Sequence, residues 1–168
     1  MVIVIAGVSG SGKTTVGTLL AARLGWDFVD GDTLHPASNI AKMAAGIPLT
    51  DRDRLPWLAA ITAWMDERLA AGESVVLACS ALRRSYRDRL LSGRPSARLV
   101  FLRVDAELAA ERLAGRHGHF FDPGLLDSQF AVLDPPVQPA ESAVMVVSAA
   151  DQPQLIADEI VHRLAVVR

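Results

Sequence analysis

The sequence predicts an α/β fold, a parallel five-stranded sheet with helices on both faces, and three observations predict it. Five short apolar runs alternate along the chain with segments of helical periodicity. The first run, Val2–Ala6, passes straight into Gly7-Val8-Ser9-Gly10-Ser11-Gly12-Lys13-Thr14. That is G-x-x-x-x-G-K-[ST], a pattern that needs a buried strand before it and a helix after it. Polar motifs then fall just after strands: this loop, Asp30-Gly31-Asp32, and Cys79-Ser80 with the arginines beyond it. Right-handed crossovers bring the strand C-termini to one edge of such a sheet, where ligands bind.

Each element has its own signal. After Val2–Ala6, a helix opens near Lys13 with Val16, Leu19, Leu20 and Leu24 on one face. Trp26–Val29 reads as the second strand. Pro36 to Gly46 is a helix, with Pro at its start and Gly at its end. Thr50 or Asp51 caps a long helix through Ala71, in which Leu58, Ile61, Trp64, Met65 and Leu69 recur at helical spacing. Ser74–Cys79 is a strand buried on both faces, from its unbroken Val75-Val76-Leu77-Ala78. Arg83–Leu91 is an arginine-rich helix, Arg98–Val104 the fourth strand, and Ala106–Arg116 the next helix. Gly118–Gly124 is irregular, Leu125–Leu133 a short helix, and Pro135-Pro136 with Pro139 a loop. Ala143–Val147 is the last strand and Gln152–Val166 the last helix.

Composition excludes several classes. The 168 residues suit one domain, 1–168, with a substantial core. The net charge of −2 gives no global basic field for nucleic acid. The 17 basic residues are 15 arginines and two lysines, so Lys13 in the motif stands out. One cysteine, Cys79, forms no internal disulfide and reads as a small buried residue at a strand end. The opening apolar run is too short for a signal peptide, and no stretch has the length of a membrane span. The expectation is a soluble cytoplasmic protein.

The glycine-rich loop is a phosphate-binding loop. Gly7, Gly10 and Gly12 permit backbone conformations that side chains forbid, and let main-chain N–H groups face a phosphate closely. The following helix aims its N-terminal N–H groups and dipole at the same anion. Lys13 supplies a mobile charge for the β- and γ-phosphates and Thr14 a hydroxyl for Mg²⁺. Ser9, Ser11 and Thr15 complete the nucleotide-binding set. The ligand is therefore a nucleoside triphosphate, expected with Mg²⁺.

Phosphoryl transfer also wants a carboxylate that orients the attacking hydroxyl and accepts its proton. Asp30 and Asp32 stand at the end of the second strand. In an extended chain they point opposite ways, so one faces the hydroxyl. Asp32 is assigned that role, with Asp30 lining the site or near the metal. Arg83 and Arg87, at i, i+4, suit a carboxylate or phosphate held bidentately. Arg112 and Arg116 have the same spacing. They precede His117-Gly118-His119-Phe120-Phe121, which reads as a lid over approximately 116–126 whose arginines swing onto the transferring group. His117 and His119 are lid residues, with no third ligand nearby to make a metal site. His35 is a candidate substrate contact and His162 structural or exposed. Trp57 and Trp64 are core or interface. The reading from residues alone is a kinase for a small hydroxylated anion.

Beyond these motifs, several stretches resemble the gluconokinases. They are Asp30-Gly31-Asp32-Thr33-Leu34-His35-Pro36, Asn39-Ile40-Ala41-Lys42-Met43, Gly46-Ile47-Pro48-Leu49-Thr50-Asp51 and Asp53-Arg54 to Pro56-Trp57-Leu58. Ala78-Cys79-Ser80-Ala81-Leu82, Tyr86-Arg87-Asp88, Gly118-His119-Phe120 and Ser128-Gln129 add to them. The resemblance covers nearly the whole chain. It implies ATP-dependent phosphorylation of D-gluconate on its 6-hydroxyl, feeding the pentose phosphate or Entner–Doudoroff routes. It also implies a nucleoside-monophosphate-kinase-like fold related to shikimate kinase, strand order 2-3-1-4-5, and a homodimer. Carried over by position, Asp32 meets the 6-hydroxyl. His35, Arg54, Arg83, Arg87 and His119 line the sugar-acid site, and Arg112 and Arg116 belong to the lid and nucleotide side. The chain departs from the family at Arg83, where lysine is common, and at Phe121-Asp122, where Met-Pro or similar is usual.

Two other classes fit less well. A guanine-specific switch needs an Asn-Lys-x-Asp element, and the one asparagine here, Asn39, is followed by Ile40. A nucleic-acid-directed ATPase needs a basic face with stacking aromatics, whereas these arginines cluster with acids. A kinase for another small hydroxy acid or a nucleoside is the nearer alternative, and the stretch from Asp30 to Leu58 favours gluconate over it.

Overall fold

The computed structural model describes residues 1–115 and 123–166. Its five-stranded sheet has the order β2-β3-β1-β4-β5. The strands are β1 (Val2–Ala6), β2 (Asp27–Asp30), β3 (Val75–Ala78), β4 (Ala97–Arg103) and β5 (Val144–Ser148). All pair in parallel. The helices are α1 (Lys13–Leu24), α2 (Ala37–Ala44), α3 (Asp51–Ala70), α4 (Arg84–Leu91), α5 (Ala106–Ala114), α6 (Pro123–Val132) and α7 (Pro153–Val166). The expected strand order is the observed one, and each of the five apolar runs forms a strand.

β1 is fully buried and central because its neighbours hydrogen-bond it on both sides and its side chains alternate between two cores. Val2, Val4 and Ala6 point to one face, where Trp57, Leu58, Ile61 and Met65 of α3 and Tyr86 and Leu90 of α4 cover them. Ile3 and Ile5 point to the other, under Val16 and Leu20 of α1 and Ile156 and Ile160 of α7. A third, smaller cluster of Val8, Leu82, Ala109, Leu113 and Leu126 closes the loop end of the sheet. Both faces being covered, the motif-bearing loops lie together at the edge formed by the strand C-termini.

Two local readings change. β2 runs one residue later than expected, to Asp30, and the chain then tightens into a 3-10 turn, Gly31–Leu34. The Asp30 carboxylate causes this by accepting from the Asp32 backbone N–H at 3.0 Å. The two acids are therefore not alternating members of an extended strand: one caps the turn that carries the other. α6 begins at Pro123, earlier than Leu125, as proline favours the first helical position. The α3 cap is a full capping box: Thr50 accepts from the Asp53 N–H, and Asp53 accepts from the Thr50 N–H at 2.9 Å.

Candidate active site

The phosphate loop turns at Gly7, Gly10 and Gly12, with φ of 143°, 79° and 91°. Gly10 shows why a side chain is excluded. A Cβ there would stand 2.4 Å from the Ala109 carbonyl oxygen of α5, in a backbone conformation that already costs an L-residue about 1–2 kcal/mol. Gly10→Ala is expected to weaken ATP binding at least ~10-fold, since about 1.4 kcal/mol of displacement suffices for that. Titration calorimetry on the folded variant reads it.

The Lys13 ammonium donates to the Val8 carbonyl at 3.0 Å and so lies folded over the loop. The buried Ser11 hydroxyl finds no hydrogen-bond partner among the described residues. Ser9 is held from a distance: its N–H donates to Gln129 Oε1 at 2.7 Å, and Gln129 Nε2 donates back to its hydroxyl at 2.9 Å. Gln129 lies on α6, 120 residues away in sequence, so spacing gives no hint of this clamp. Thr14 and Thr15 are exposed in the first turn of α1. Arg112 lies on α5, one turn after Ala109. Arg116 and His119, with most of the expected lid, lie outside the described residues.

Asp32 stands across the site from the loop. Its side chain is 69% exposed, and its carboxyl is raised above the usual range by partial desolvation first and by Asp30 second, with the Lys13 charge opposing. Lys13 and Asp32 thus act on the same space. Behind Asp32 the wall is rigid. Trp57 is buried, and its indole N–H donates to the Gly31 carbonyl at 2.8 Å, fixing the turn. His35 stacks on that indole with ring centres 4.2 Å apart. Its Nε2 lies 3.7 Å from Asp32 Oδ1, and its side chain is only 4% exposed.

Burial, with Arg54 nearby, pushes the His35 pKa down to about 4. A pKa held below the unfolded value of 6.5 means that the unfolded chain takes up the proton first as pH falls. The stability this neutral ring allows is present above 6.5 and is lost toward pH 4. About 2 kcal/mol should disappear between pH 7 and pH 5 from this group. Urea unfolding at the two pH values, with His35→Gln as the comparison, checks it: the variant loses less.

The acceptor-side arginines divide. Asp51 Oδ1 lies 3.7 Å from Arg54 Nη1 and 3.4 Å from Arg83 Nε, and accepts a hydrogen bond from the Tyr86 hydroxyl. The structure therefore brings Arg54 and Arg83 together, around an aspartate that the sequence marked only as a possible helix cap. Arg87 departs from expectation. It is fully buried, and its guanidinium grips Glu141 through two bonds of 2.7 and 2.9 Å. It also donates to the carbonyls of Leu82 at 3.0 Å and Ala81 at 3.4 Å. It has no face open to a cleft, so the substrate contact expected of it is corrected to a brace on the loop before α4. The cause lies in Glu141, 54 residues on, which no local pattern connects to it. Arg87 in turn holds the Glu141 carboxyl below its usual range.

Among the described residues no group of three or more His, Cys, Asp or Glu is placed to hold a metal ion. Cys79, buried behind β3, has its thiol pushed up to about 12, chiefly by desolvation. Cys79 is a free, buried cysteine at the end of β3, as its place in the sequence implied.

Comparison with known proteins agrees with this fold. A family described as "AAA domain" matches residues 2–136. Gluconokinase of Gluconobacter oxydans is 45% identical over 160 residues, covering 95% of this chain and 89% of that protein. The crystal structure of a gluconokinase from Sinorhizobium meliloti superposes with a TM-score of 0.86 at 46% identity, over 98% of this chain and 91% of the other. Shikimate kinase from Acinetobacter baumannii, at 22% identity and a TM-score of 0.64 over 99% of this chain and 94% of the other, shares the fold. The phosphate loop and the five-stranded sheet stand where the sequence placed them, on a backbone shared with these kinases, and the chain belongs to the gluconokinase family.

Proposed function

We propose that the chain transfers the γ-phosphoryl group of ATP to the 6-hydroxyl of D-gluconate, giving ADP and 6-phospho-D-gluconate. The observation that carries this reading is the phosphate loop with Lys13 at the sheet edge that also carries the Asp32 turn, with Arg54 and Arg83 gathered around Asp51. Its substrate follows from family membership.

The loop N–H groups from Gly10 to Thr15 cradle the phosphates, and Lys13 leaves the Val8 carbonyl to meet the β- and γ-oxygens. The acceptor oxygen attacks phosphorus in line as its proton passes to Asp32, and the bond to the bridging oxygen of ADP breaks. Arg54 and Arg83 supply the donors for a sugar-acid carboxylate, with Asp51 holding them until it arrives. Arg112 serves the nucleotide side, and with Arg116 and His119 belongs to a lid over approximately 116–126 that excludes water.

The exposed Thr14 hydroxyl, at the start of α1 beside the loop, fits Mg²⁺ held otherwise by phosphate and water. When bound, that ion would offset the negative charge of the transferring phosphates. The reading includes a single kinase domain, a cytoplasmic location and a homodimer. Among the described residues no helix is long and apolar enough to cross a membrane.

The test is ADP formation from Mg-ATP with D-gluconate, shikimate, glycerate and nucleosides, each in turn. ADP that appears only with gluconate is the expected result. ADP with another acceptor keeps a kinase and removes gluconate, and ADP without any acceptor removes the kinase.

A further inference from the structure

Asn39, the one asparagine of the chain, is 2% exposed and sits between two elements of the acceptor wall. Its Nδ2 donates to the Asp53 backbone carbonyl at 2.8 Å and lies 3.2 Å from His35 Nδ1. A carbonyl oxygen can only accept, so the amide must turn its NH₂ toward Asp53. The second hydrogen of that NH₂ then faces His35 Nδ1, which must offer a lone pair. A neutral imidazole with a bare Nδ1 carries its proton on Nε2. Nε2 is the atom 3.7 Å from Asp32 Oδ1. We propose that Asn39 sets the His35 tautomer so that the ring presents an Nε2–H to Asp32, making Asn39 and His35 positioning residues for the carboxylate that receives the proton.

The rest of the wall supports this arrangement. Stacking on Trp57 fixes the ring plane. Trp57 is itself tied to Gly31, in the same turn as Asp32, so ring and carboxylate are placed from one anchor. Asp53 is tied to Lys42 at 2.7 Å and to the Thr50 cap, so the carbonyl that orients Asn39 is held as well. The charged and titratable groups around this pair are Arg54 of α3, which adds to burial in keeping His35 neutral, and Asp30, Lys13 and Cys79 about Asp32. The separation of 3.7 Å is roughly 0.8 Å beyond an ordinary N–H···O bond, and such catalytic contacts tighten when substrate arrives.

The inference rests on the proposed kinase reading only for Asp32's role, and the first measurement needs no substrate. Long-range ¹⁵N–¹H NMR of the histidine rings in the nucleotide-free protein, with the His35 signals assigned by their loss in His35→Gln, should show Nε2–H with bare Nδ1 at neutral pH. In Asn39→Ala that pattern should weaken. A misplaced reacting group costs on the order of 10–100-fold. Asn39→Ala and His35→Phe, which keeps the stack on Trp57, should therefore lose ~10-fold or more in kcat with KM for ATP unchanged. His35→Gln, which restores a donor near Nε2, should recover most of it. If Asn39→Ala does not fold, the wild-type spectrum and the two His35 variants decide. A wild-type ring protonated at Nδ1 or charged at neutral pH overturns the proposal, as does His35→Phe with wild-type kcat or His35→Gln no better than His35→Phe. Failure of gluconate as acceptor appears separately, as absent turnover in the wild type with the NMR pattern intact.

Discussion

Asp32→Asn should lower kcat roughly 10³-fold while ATP binds as before, because general-base contributions run to about 10²–10⁴-fold. The substitution keeps the size and shape of the side chain. The turn survives, since the bond that builds it runs from the Asp32 backbone N–H to the Asp30 carboxylate. Trp57 still holds Gly31. Only the proton acceptor is lost. Asp32 also titrates above the ordinary carboxylate range, from desolvation first and Asp30 second. A base of raised pKa accepts a proton more readily at neutral pH, and the acid limb of the wild-type rate profile should lie higher than for a free aspartate. Steady-state kinetics and nucleotide calorimetry on the same preparation check both parts. Near-normal turnover in the variant would remove Asp32 from its role.

The second large effect falls on stability. Arg87→Met should destabilise the fold by about 3–5 kcal/mol, because Glu141 is left charged and unpaired at 3% side-chain exposure. For a chain of this length that is a fall in Tm of roughly 10 °C. The Ala81 carbonyl loses the guanidinium donor as well, while that of Leu82 keeps the Asp134 N–H at 3.0 Å. The double variant Arg87→Met with Glu141→Met should recover much of the loss, since it leaves no isolated charge. Thermal unfolding of the three proteins measures this. A single variant with unchanged Tm and a raised KM for gluconate would return Arg87 to the substrate site.

Arg87 also marks where sequence reading stops. The pair Arg83 and Arg87 at i, i+4 predicts a shared helix face, but Arg83 instead N-caps α4 while Arg87 turns inward. What decides between substrate and ion pair is Glu141, brought in by tertiary folding from the loop before β5. Gln129 on Ser9 is the same kind of contact. The nucleotide side was legible because its chemistry is carried by contiguous backbone: glycines that reach positive φ, a strand before and a helix after. The sheet was legible because strands buried on both faces must be continuously apolar. Asp30 and Asp32 were found but their geometry was misjudged, because a side-chain bond to backbone overrode the strand's alternation. The gathering of Arg54, Arg83 and Tyr86 on Asp51 needs α3 and α4 packed side by side, which no local pattern states.

The central claim is that the phosphoryl group goes to one particular oxygen of gluconate, the one that Asp32 deprotonates. Its most direct test is the structure of the product. After incubation with Mg-ATP and ¹³C-labelled D-gluconate, ³¹P and ¹³C NMR should show one new phosphate monoester, with phosphorus coupled to C6, in amounts equal to the ADP formed. A phosphate ester on another carbon, or inorganic phosphate in place of an ester, would contradict the account.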